Sequence, residues 1–168
     1  MIKEIIFNEI HFKNYGKNEI DKLFDQNGLI VLPSGPGLSN INKDKVYLQA
    51  LKNSDQVLLD SGYFVLLLKF LKNISVNKLS GYLFYTHLIK HLQKKKFKKL
   101  LSIDPNNKFS KNNNNFFLKK GLNNNKIIHY IAPKYNTLKL FDLKLLRLIK
   151  ENKPDYIIIN IGGGVQEI

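Results

Sequence analysis

The chain has 168 residues, a hydrophobic fraction of 43% and no cysteine. These figures indicate a globular protein with a substantial core, and they exclude a disulfide framework and thiolate metal sites. The formal net charge is +14, yet Arg147 is the only arginine. Because nucleic-acid readers rely on the arginine fork, we expect no nucleic-acid partner. The lysines reflect either an AT-rich genome or attraction to an anionic partner, such as a membrane surface or a nucleotide.

The hydropathy pattern argues against a membrane-spanning or secreted chain. The longest apolar run, residues 63–68, is much shorter than the roughly 20 residues that a spanning helix needs. Residues 1–6 lack the apolar core of a signal peptide. We therefore expect a cytoplasmic protein, with peripheral contact at the inner face of the plasma membrane.

Short apolar runs alternate with longer stretches in which apolar residues recur at helical spacing. The short runs predict strands and the longer stretches predict helices. In chain order the predicted elements are one or two strands over 3–12, a helix over 17–24, a strand over 29–32, a helix over 42–52 capped by Ser39 or Asn40, a strand over 56–59, helices over 63–72 and 82–95, a strand over 99–103, a loop or frayed helix start over 106–115, a short helix over 116–122, a strand over 126–131, a helix over 138–150 capped by Asn136 or Thr137, and a strand over 156–161.

This alternation predicts an α/β fold with a mostly parallel sheet flanked by helices, a Rossmann-like three-layer sandwich, as a single domain over residues 1–168. Right-handed crossovers place the carboxyl ends of parallel strands at one edge, where ligands bind. The turns expected at that edge are Pro33-Ser34-Gly35, Asp60-Ser61-Gly62, Asp104-Pro105, Ala132-Pro133 and Gly162-Gly163-Gly164.

The last stretch of the chain combines a buried strand with a glycine turn. Three glycines, Gly162, Gly163 and Gly164, allow positive φ angles and close approach of a ligand to the backbone. Gln166 and Glu167 follow where a helix would open. A strand, a glycine turn and a helix start commonly bind anions and nucleotides. The two polar side chains either bind hydroxyl groups of a ligand or lie in a solvated first helical turn.

Asp60 is the best candidate for chemistry, because it ends a buried strand and precedes Ser61-Gly62. At the edge of a cleft its carboxylate could act as a general base toward a sugar hydroxyl. Alternatively, it caps the helix that starts near Tyr63. The two roles can coexist.

Other polar residues give weaker signals. Asp104 could act at the same edge, but Asp104-Pro105 is also an ordinary turn sequence. His87 and His91 lie four apart and are expected on an exposed helix face, since two histidines alone rarely hold a metal. The sequence has no phosphate-binding glycine-lysine loop, no dinucleotide fingerprint and no Asp-x-Asp pair. We therefore expect no cofactor and no metal.

Three motifs make the chain similar to a known family from about Leu29 onward. The stretch from Pro154-Asp155 to Gln166-Glu167 resembles an apolar strand followed by Gly-x-Pro-x-Gln-Glu. Residues 53–62 resemble a strand that ends in Asp-Gly, and residues 78–81 resemble Arg-x-x-Gly before a helix. These motifs are found in the WecG/TagA/CpsF family of bacterial glycosyltransferases, which the chain resembles.

The resemblance implies transfer of N-acetylmannosamine or a related sugar from a UDP-sugar to a polyprenyl-diphosphate-linked acceptor. It implies an enzyme of cell-surface polysaccharide synthesis, metal-independent and inverting, and it allows a homo-oligomer. Asp60 would be the catalytic base, as the family's aspartate is proposed to be. The residues implied in substrate binding are Ser34, Gly62, Lys78, Gly162, Gly163, Gly164, Gln166 and Glu167.

Several positions depart from the family pattern. Leu32-Pro33-Ser34 stands where the family has Thr-Pro-Asn, and Lys78 replaces the arginine. Gly164 replaces the proline of the last motif, and Asp104-Pro105 replaces a glycine pair. We expect the chain to lack the family's C-terminal segment. The alternative function is therefore a catalytically inactive protein that binds a nucleotide-sugar.

Overall fold

The computed structural model describes residues 4–33, 35–60, 62–74, 76–77, 79–136 and 141–168. Contacts divide the chain into two compact units, Met1–Leu88 with Glu167–Ile168, and Ile89–Gln166. Each unit has its own sheet. The expectation of a single domain stays a prediction.

The sheet of the first unit has four strands, ordered β1-β2-β4-β3. β1 (Glu4–Phe7) and β2 (Ile10–Lys13) form an antiparallel hairpin, and the two residues between them both have positive φ, as a tight hairpin turn requires. β3 (Ile30–Val31) and β4 (Gln56–Leu58) run parallel to each other, and β4 runs parallel to β2. Parallel pairing places the ends of β3 and β4 at one edge.

Helices of the first unit follow the strands. They are α1 (Lys17–Leu23), α2 (Gly35–Ser39), α3 (Lys45–Asn53), α4 (Gly62–Lys72) and the start of α5 (Gly81–Lys94). The core side chains, fully buried, are Ile10, Phe12, Ile20, Ile41, Tyr47, Leu51 and Leu58. Burying an aliphatic side chain of this size contributes about 1.5–3 kcal/mol, so this cluster holds the helices on the sheet.

Two local predictions for the first unit are wrong. The rigid turn expected at residues 33–37 is wrong from Gly35 onward, where the short helix α2 begins. α3 begins three residues later than predicted, because Asp44 caps it by accepting a hydrogen bond from the Tyr47 N–H at 2.9 Å. Ser39 and Asn40 are therefore not its caps.

The sheet of the second unit is wholly parallel, with the order β6-β5-β7. β5 (Leu100–Asp104) lies in the middle and every one of its residues is buried, as expected for a central parallel strand. β6 (Ile127–Ile131) and β7 (Tyr156–Ile159) flank it. α6 (Asn107–Lys119) and α7 (Leu143–Asn152) make the crossovers. The predicted α/β class, with parallel sheets flanked by helices, is confirmed.

Three predictions for the second unit are wrong in detail. The asparagine-rich stretch 106–115 is helical, because Asn106 caps α6 by accepting a hydrogen bond from the Phe109 N–H. α7 starts at Leu143 and is capped by Asp142 instead of Asn136 or Thr137; residues 137–140 lie outside the described residues. After β7, residues 163–167 form a turn instead of a helix start.

No helix among the described residues is long and apolar enough to cross a bilayer.

Candidate functional site

Asp60 lies just past the carboxyl end of β4, after two buried leucines, and its side chain is half-buried. Its Oδ1 accepts a hydrogen bond of 2.8 Å from the Gly81 N–H, which is the first N–H of α5. The alternative prediction placed Asp60 as the cap of the helix near Tyr63. The structure shows that the helix it caps lies 21 residues further along the chain.

The segment before α5 is tied to the end of β4, and this brings two of the sequence motifs together. The Leu79 N–H donates to the Leu59 carbonyl at 3.1 Å, and Ser80 Oγ accepts from the Leu83 N–H at 3.2 Å. A Cβ at Gly81 would lie 3.3 Å from Asp60 Oδ2, so a glycine permits this close approach. Among the described residues, Oδ2 has no hydrogen-bond partner.

The glycine turn after β7 is closed by Gln166. Its backbone N–H donates to the Gly162 carbonyl, and its side-chain Oε1 accepts from the Gly162 N–H, both at 3.3 Å. Gly162 and Gly164 have φ angles of 106° and 87°, which side chains with a Cβ rarely adopt. Gly163 is exposed at the tip. Gln166 thus fixes the turn through both its backbone and its side chain.

Glu167 is 4% exposed, so the expectation of a solvated helical turn is wrong for it. Its charge acts on Tyr47, a side chain of the same unit that is only 1% exposed. Burial raises the pKa of the Tyr47 hydroxyl well above its ordinary value, and the carboxylates of Glu167 and Asp44 raise it further. Among the described residues, the Tyr47 hydroxyl has no hydrogen-bond partner.

The remaining predicted binding residues are only partly described. Gly62 is the half-buried first residue of α4. Ser34 and Lys78 lie outside the described residues. The structure thus brings Asp60 together with Gly81, and Gly162 together with Gln166.

A buried polar cluster in the second unit is the main feature that the sequence interpretation missed. Asp104 is fully buried and belongs to β5, so its interpretation as a turn residue is wrong. Its Oδ1 accepts hydrogen bonds from Ser102 Oγ at 3.1 Å, Asn113 Nδ2 at 2.6 Å and Asn160 Nδ2 at 3.3 Å. Its Oδ2 lies 3.0 Å from His129 Nδ1. Because a carboxylate only accepts, Nδ1 must carry the hydrogen.

This cluster joins all three strands of the second unit to α6. Ser102 and Asp104 alternate on β5, His129 pairs with Ser102 from β6, and Asn160 follows β7. Asn160 also donates its backbone N–H to the Ile103 carbonyl at 2.9 Å. It directly precedes Ile161 and the glycine turn, so the cluster fixes the base of that turn. Ser-x-Asp alternation in an otherwise apolar strand was the only available signal in the sequence.

The two histidines of α5 do not form an exposed face, contrary to the prediction. His87 Nδ1 lies 2.8 Å from Asp21 Oδ1, and its side chain is 16% exposed. His91 Nε2 lies 3.0 Å from the Tyr156 hydroxyl. Within the described part of the chain, no three His, Cys, Asp or Glu side chains cluster as a metal site would require.

The comparison with known families decides the class of protein. Residues 4–168 match the model of the glycosyl transferase WecG/TagA/CpsF family, which covers nearly the whole chain. The chain belongs to this family. No individual curated protein matches it. Membership in the WecG/TagA/CpsF family makes the chain a glycosyltransferase of cell-surface polysaccharide synthesis, with a sugar donor and an acceptor as its substrates.

Proposed function

We propose that this glycosyltransferase moves a sugar of the N-acetylmannosamine type from a UDP-sugar to a polyprenyl-diphosphate-linked acceptor. The observation that supports this proposal is the geometry of Asp60. Its Oδ1 is held by the Gly81 N–H, while Oδ2 has no partner among the described residues. A carboxylate that is held by one oxygen, and whose other oxygen has no partner in the described part of the chain, suits a general base.

In the proposed reaction, Asp60 Oδ2 takes the proton of the acceptor hydroxyl. The acceptor oxygen then forms a bond to the anomeric carbon of the sugar, while the bond from that carbon to the UDP oxygen breaks. Attack opposite the leaving group inverts the configuration. The sequence has no Asp-x-Asp pair to hold a divalent metal, so we assign stabilisation of the leaving diphosphate to lysines and helix N-termini.

The substrate-binding roles in this proposal come from the family motifs. Lys78 would offset the diphosphate charge, and Ser34 and Gly62 would line the edge beside Asp60. The backbone of 162–164 would approach the donor closely, and Gln166 and Glu167 would bind its polar groups. A polyprenyl acceptor is embedded in lipid, so the enzyme would work at the membrane surface.

The test is the exchange Asp60→Asn in a transfer assay with a UDP-sugar and a lipid-diphosphate acceptor. Asparagine keeps an oxygen that can cap α5, so the fold should be preserved. We expect kcat to fall by about 10²–10⁴-fold, the usual contribution of a positioned base. The matched control is Asp21→Asn, an exposed aspartate of the same unit, which should leave kcat unchanged.

Two results would change the assignment. Turnover by Asp60→Asn within twofold of the wild type would refute the base. Binding of a UDP-sugar by the wild-type protein without any transfer would favour the alternative of an inactive nucleotide-sugar-binding protein.

A further inference from the structure

Three main-chain N–H groups of the segment before α5 are bound at the carboxyl edge of the first sheet. The N–H groups of Asn77, Leu79 and Gly81 donate to Asn14 Oδ1 at 2.8 Å, to the Leu59 carbonyl at 3.1 Å and to Asp60 Oδ1 at 2.8 Å, respectively. Because successive N–H groups of an extended segment point in opposite directions, donors at every second residue lie on one side of it. The segment 77–81 is therefore held along one side against this edge.

Asn14 supplies the first of the three acceptors. It directly follows β2, and the register of β2 with β4 pairs Lys13 with Leu58, so Asn14 lies beside Leu59 at the same edge. Asn14 is only 5% exposed. Buried polar atoms are normally paired, and this oxygen is paired with the Asn77 N–H. Asn14 thus ties the segment to the end of β2, whereas the other two acceptors tie it to the end of β4.

The bonds at the two ends of the segment reinforce each other through the backbone between them. Fixing Asn77 removes conformational freedom that the backbone would otherwise lose when Gly81 binds Asp60. Leu79, in the middle, is 4% exposed, so its side chain adds a buried anchor. Loss of the bond at Asn77 should therefore loosen the bond at Gly81, four residues along the chain.

The Gly81 N–H controls the orientation of the proposed base. It holds Asp60 Oδ1 at 2.8 Å, and because a carboxylate is rigid and planar, a fixed Oδ1 also sets the direction of Oδ2. A misplacement of a reacting group by about 1 Å can lower a rate by about 10²-fold. The hold on segment 77–81 therefore bears on the rate of transfer as well as on the fold.

We propose that Asn14 is a positioning residue of this glycosyltransferase. By holding Asn77 it keeps the Gly81 N–H on Asp60, and so keeps Oδ2 in one orientation toward the acceptor hydroxyl. Asn14 touches no substrate in this assignment, and all four residues belong to the first unit. The consequence for the rate rests on the function proposed above, whereas the effect on the Gly81 N–H can be measured without substrate.

The first experiment removes the hydrogen bond from each side in turn. Asn14→Leu keeps the size of the side chain without the acceptor, and Asn77→Pro removes the donor N–H while Asn14 stays. Amide hydrogen exchange of the full chain is followed by NMR without substrate. In both variants the Leu79 and Gly81 N–H groups should exchange about three- to tenfold faster, the factor that one hydrogen bond contributes to local opening.

Two controls accompany this measurement. Exchange in β1 should stay at the wild-type rate, which shows that the sheet is intact; a variant in which β1 also exchanges faster has lost its fold, and the other variant then decides. Asn18→Leu alters an exposed asparagine on α1 of the same unit and should change neither exchange nor transfer.

Transfer kinetics then test whether Asn14 acts through Asp60. Asn14→Leu should lower kcat by about 10–10²-fold when Asp60 is present. It should lower kcat by less than about twofold in the Asp60→Asn protein, because the base that it positions is then already absent. A merely structural role would lower kcat by the same factor in both backgrounds.

The outcomes separate this proposal from the base assignment. Gly81 exchange within twofold of the wild type in the folded variants, or an equal loss of kcat in both backgrounds, would overturn the positioning role and leave the base assignment standing. If Asp60→Asn transfers sugar at the wild-type rate, the base assignment fails, and the exchange of Gly81 still decides whether Asn14 orients Asp60.

Discussion

Replacing Asp104 by alanine should destabilise the second unit more than any surface change, because it removes the acceptor of four hydrogen bonds at once. The Ser102 hydroxyl is fully buried and would still accept a hydrogen bond from Asn160 Nδ2 at 3.3 Å. The loss of Asp104 removes the acceptor of its own hydrogen, and a buried donor without an acceptor costs about 1–3 kcal/mol. The Asn113, His129 and Asn160 side chains are partly exposed and can turn toward water, which reduces each loss to about 1 kcal/mol or less. We expect a total of about 3–5 kcal/mol, which is typical of breaking a buried charged contact.

The measurement is thermal unfolding by circular dichroism, combined with amide hydrogen exchange of β5. For a chain of this size a loss of 3–5 kcal/mol lowers Tm by roughly 6–20 °C. Exchange should accelerate in residues 100–104 first, because the cluster is built on that strand. Glu151→Ala removes an exposed carboxylate of the same unit and should change stability by less than about 0.5 kcal/mol. A Tm for Asp104→Ala within 2 °C of the wild type would show that the buried hydrogen bonds contribute no net stability.

Two further predictions concern stability. Tyr47→Phe should leave the free energy of unfolding unchanged or raise it by up to about 1 kcal/mol, because it removes a buried hydroxyl that has no partner among the described residues. The same exchange at Tyr156, whose hydroxyl bonds His91, should lower the free energy of unfolding. A Tyr47→Phe protein less stable than the Tyr156→Phe protein would contradict the reasoning. Asp155 accepts the backbone N–H groups of Lys99 and Lys98, which hold its pKa below the ordinary value of 3.8. Its stabilisation is therefore complete above about pH 5 and is lost as the pH falls through the folded-state pKa. Because Asp155 is exposed, we expect wild type and Asp155→Asn to differ in free energy of unfolding by less than about 1 kcal/mol. In urea titrations this difference should shrink from pH 5 to pH 3. A difference that stays constant over this range would refute the assignment.

The sequence predicted the order of strands and helices because almost every element has the apolar pattern that is typical of a strand or of a helix. It placed helix starts less well, since a cap depends on which of several nearby polar residues bonds the free N–H groups. Asp44 and Asp142 cap α3 and α7, whereas the sequence favoured asparagine, serine or threonine a few residues earlier. The pairing of strands into two sheets also depends on contacts that the sequence pattern does not specify.

For the candidate site, the sequence proposes residues but not their partners. Asp60 is proposed from its place after an apolar run, yet its hydrogen bond to Gly81 spans 21 residues and could not be predicted from the local pattern. Asp104 looked like a turn because proline follows it, and only the register of β5 with β6 brings His129 beside it. The hydrogen bonds that Asp142 accepts from Tyr130 and Tyr135 were also missed, because the apolar pattern does not indicate which polar side chains meet across the turn between β6 and α7.

The asparagine run of α6 has a further consequence for how this chain can change. Asn112 and Asn115 are exposed, so codon bias alone suffices to account for them. Asn113 bonds Asp104, and Asn114 Oδ1 lies 3.2 Å from His129 Nε2. Drift in nucleotide composition could therefore replace Asn112 and Asn115 by lysine or serine at little cost in stability. Asn113 and Asn114 would be retained. A low-complexity asparagine run would then keep two conserved asparagines, Asn113 and Asn114, at its centre.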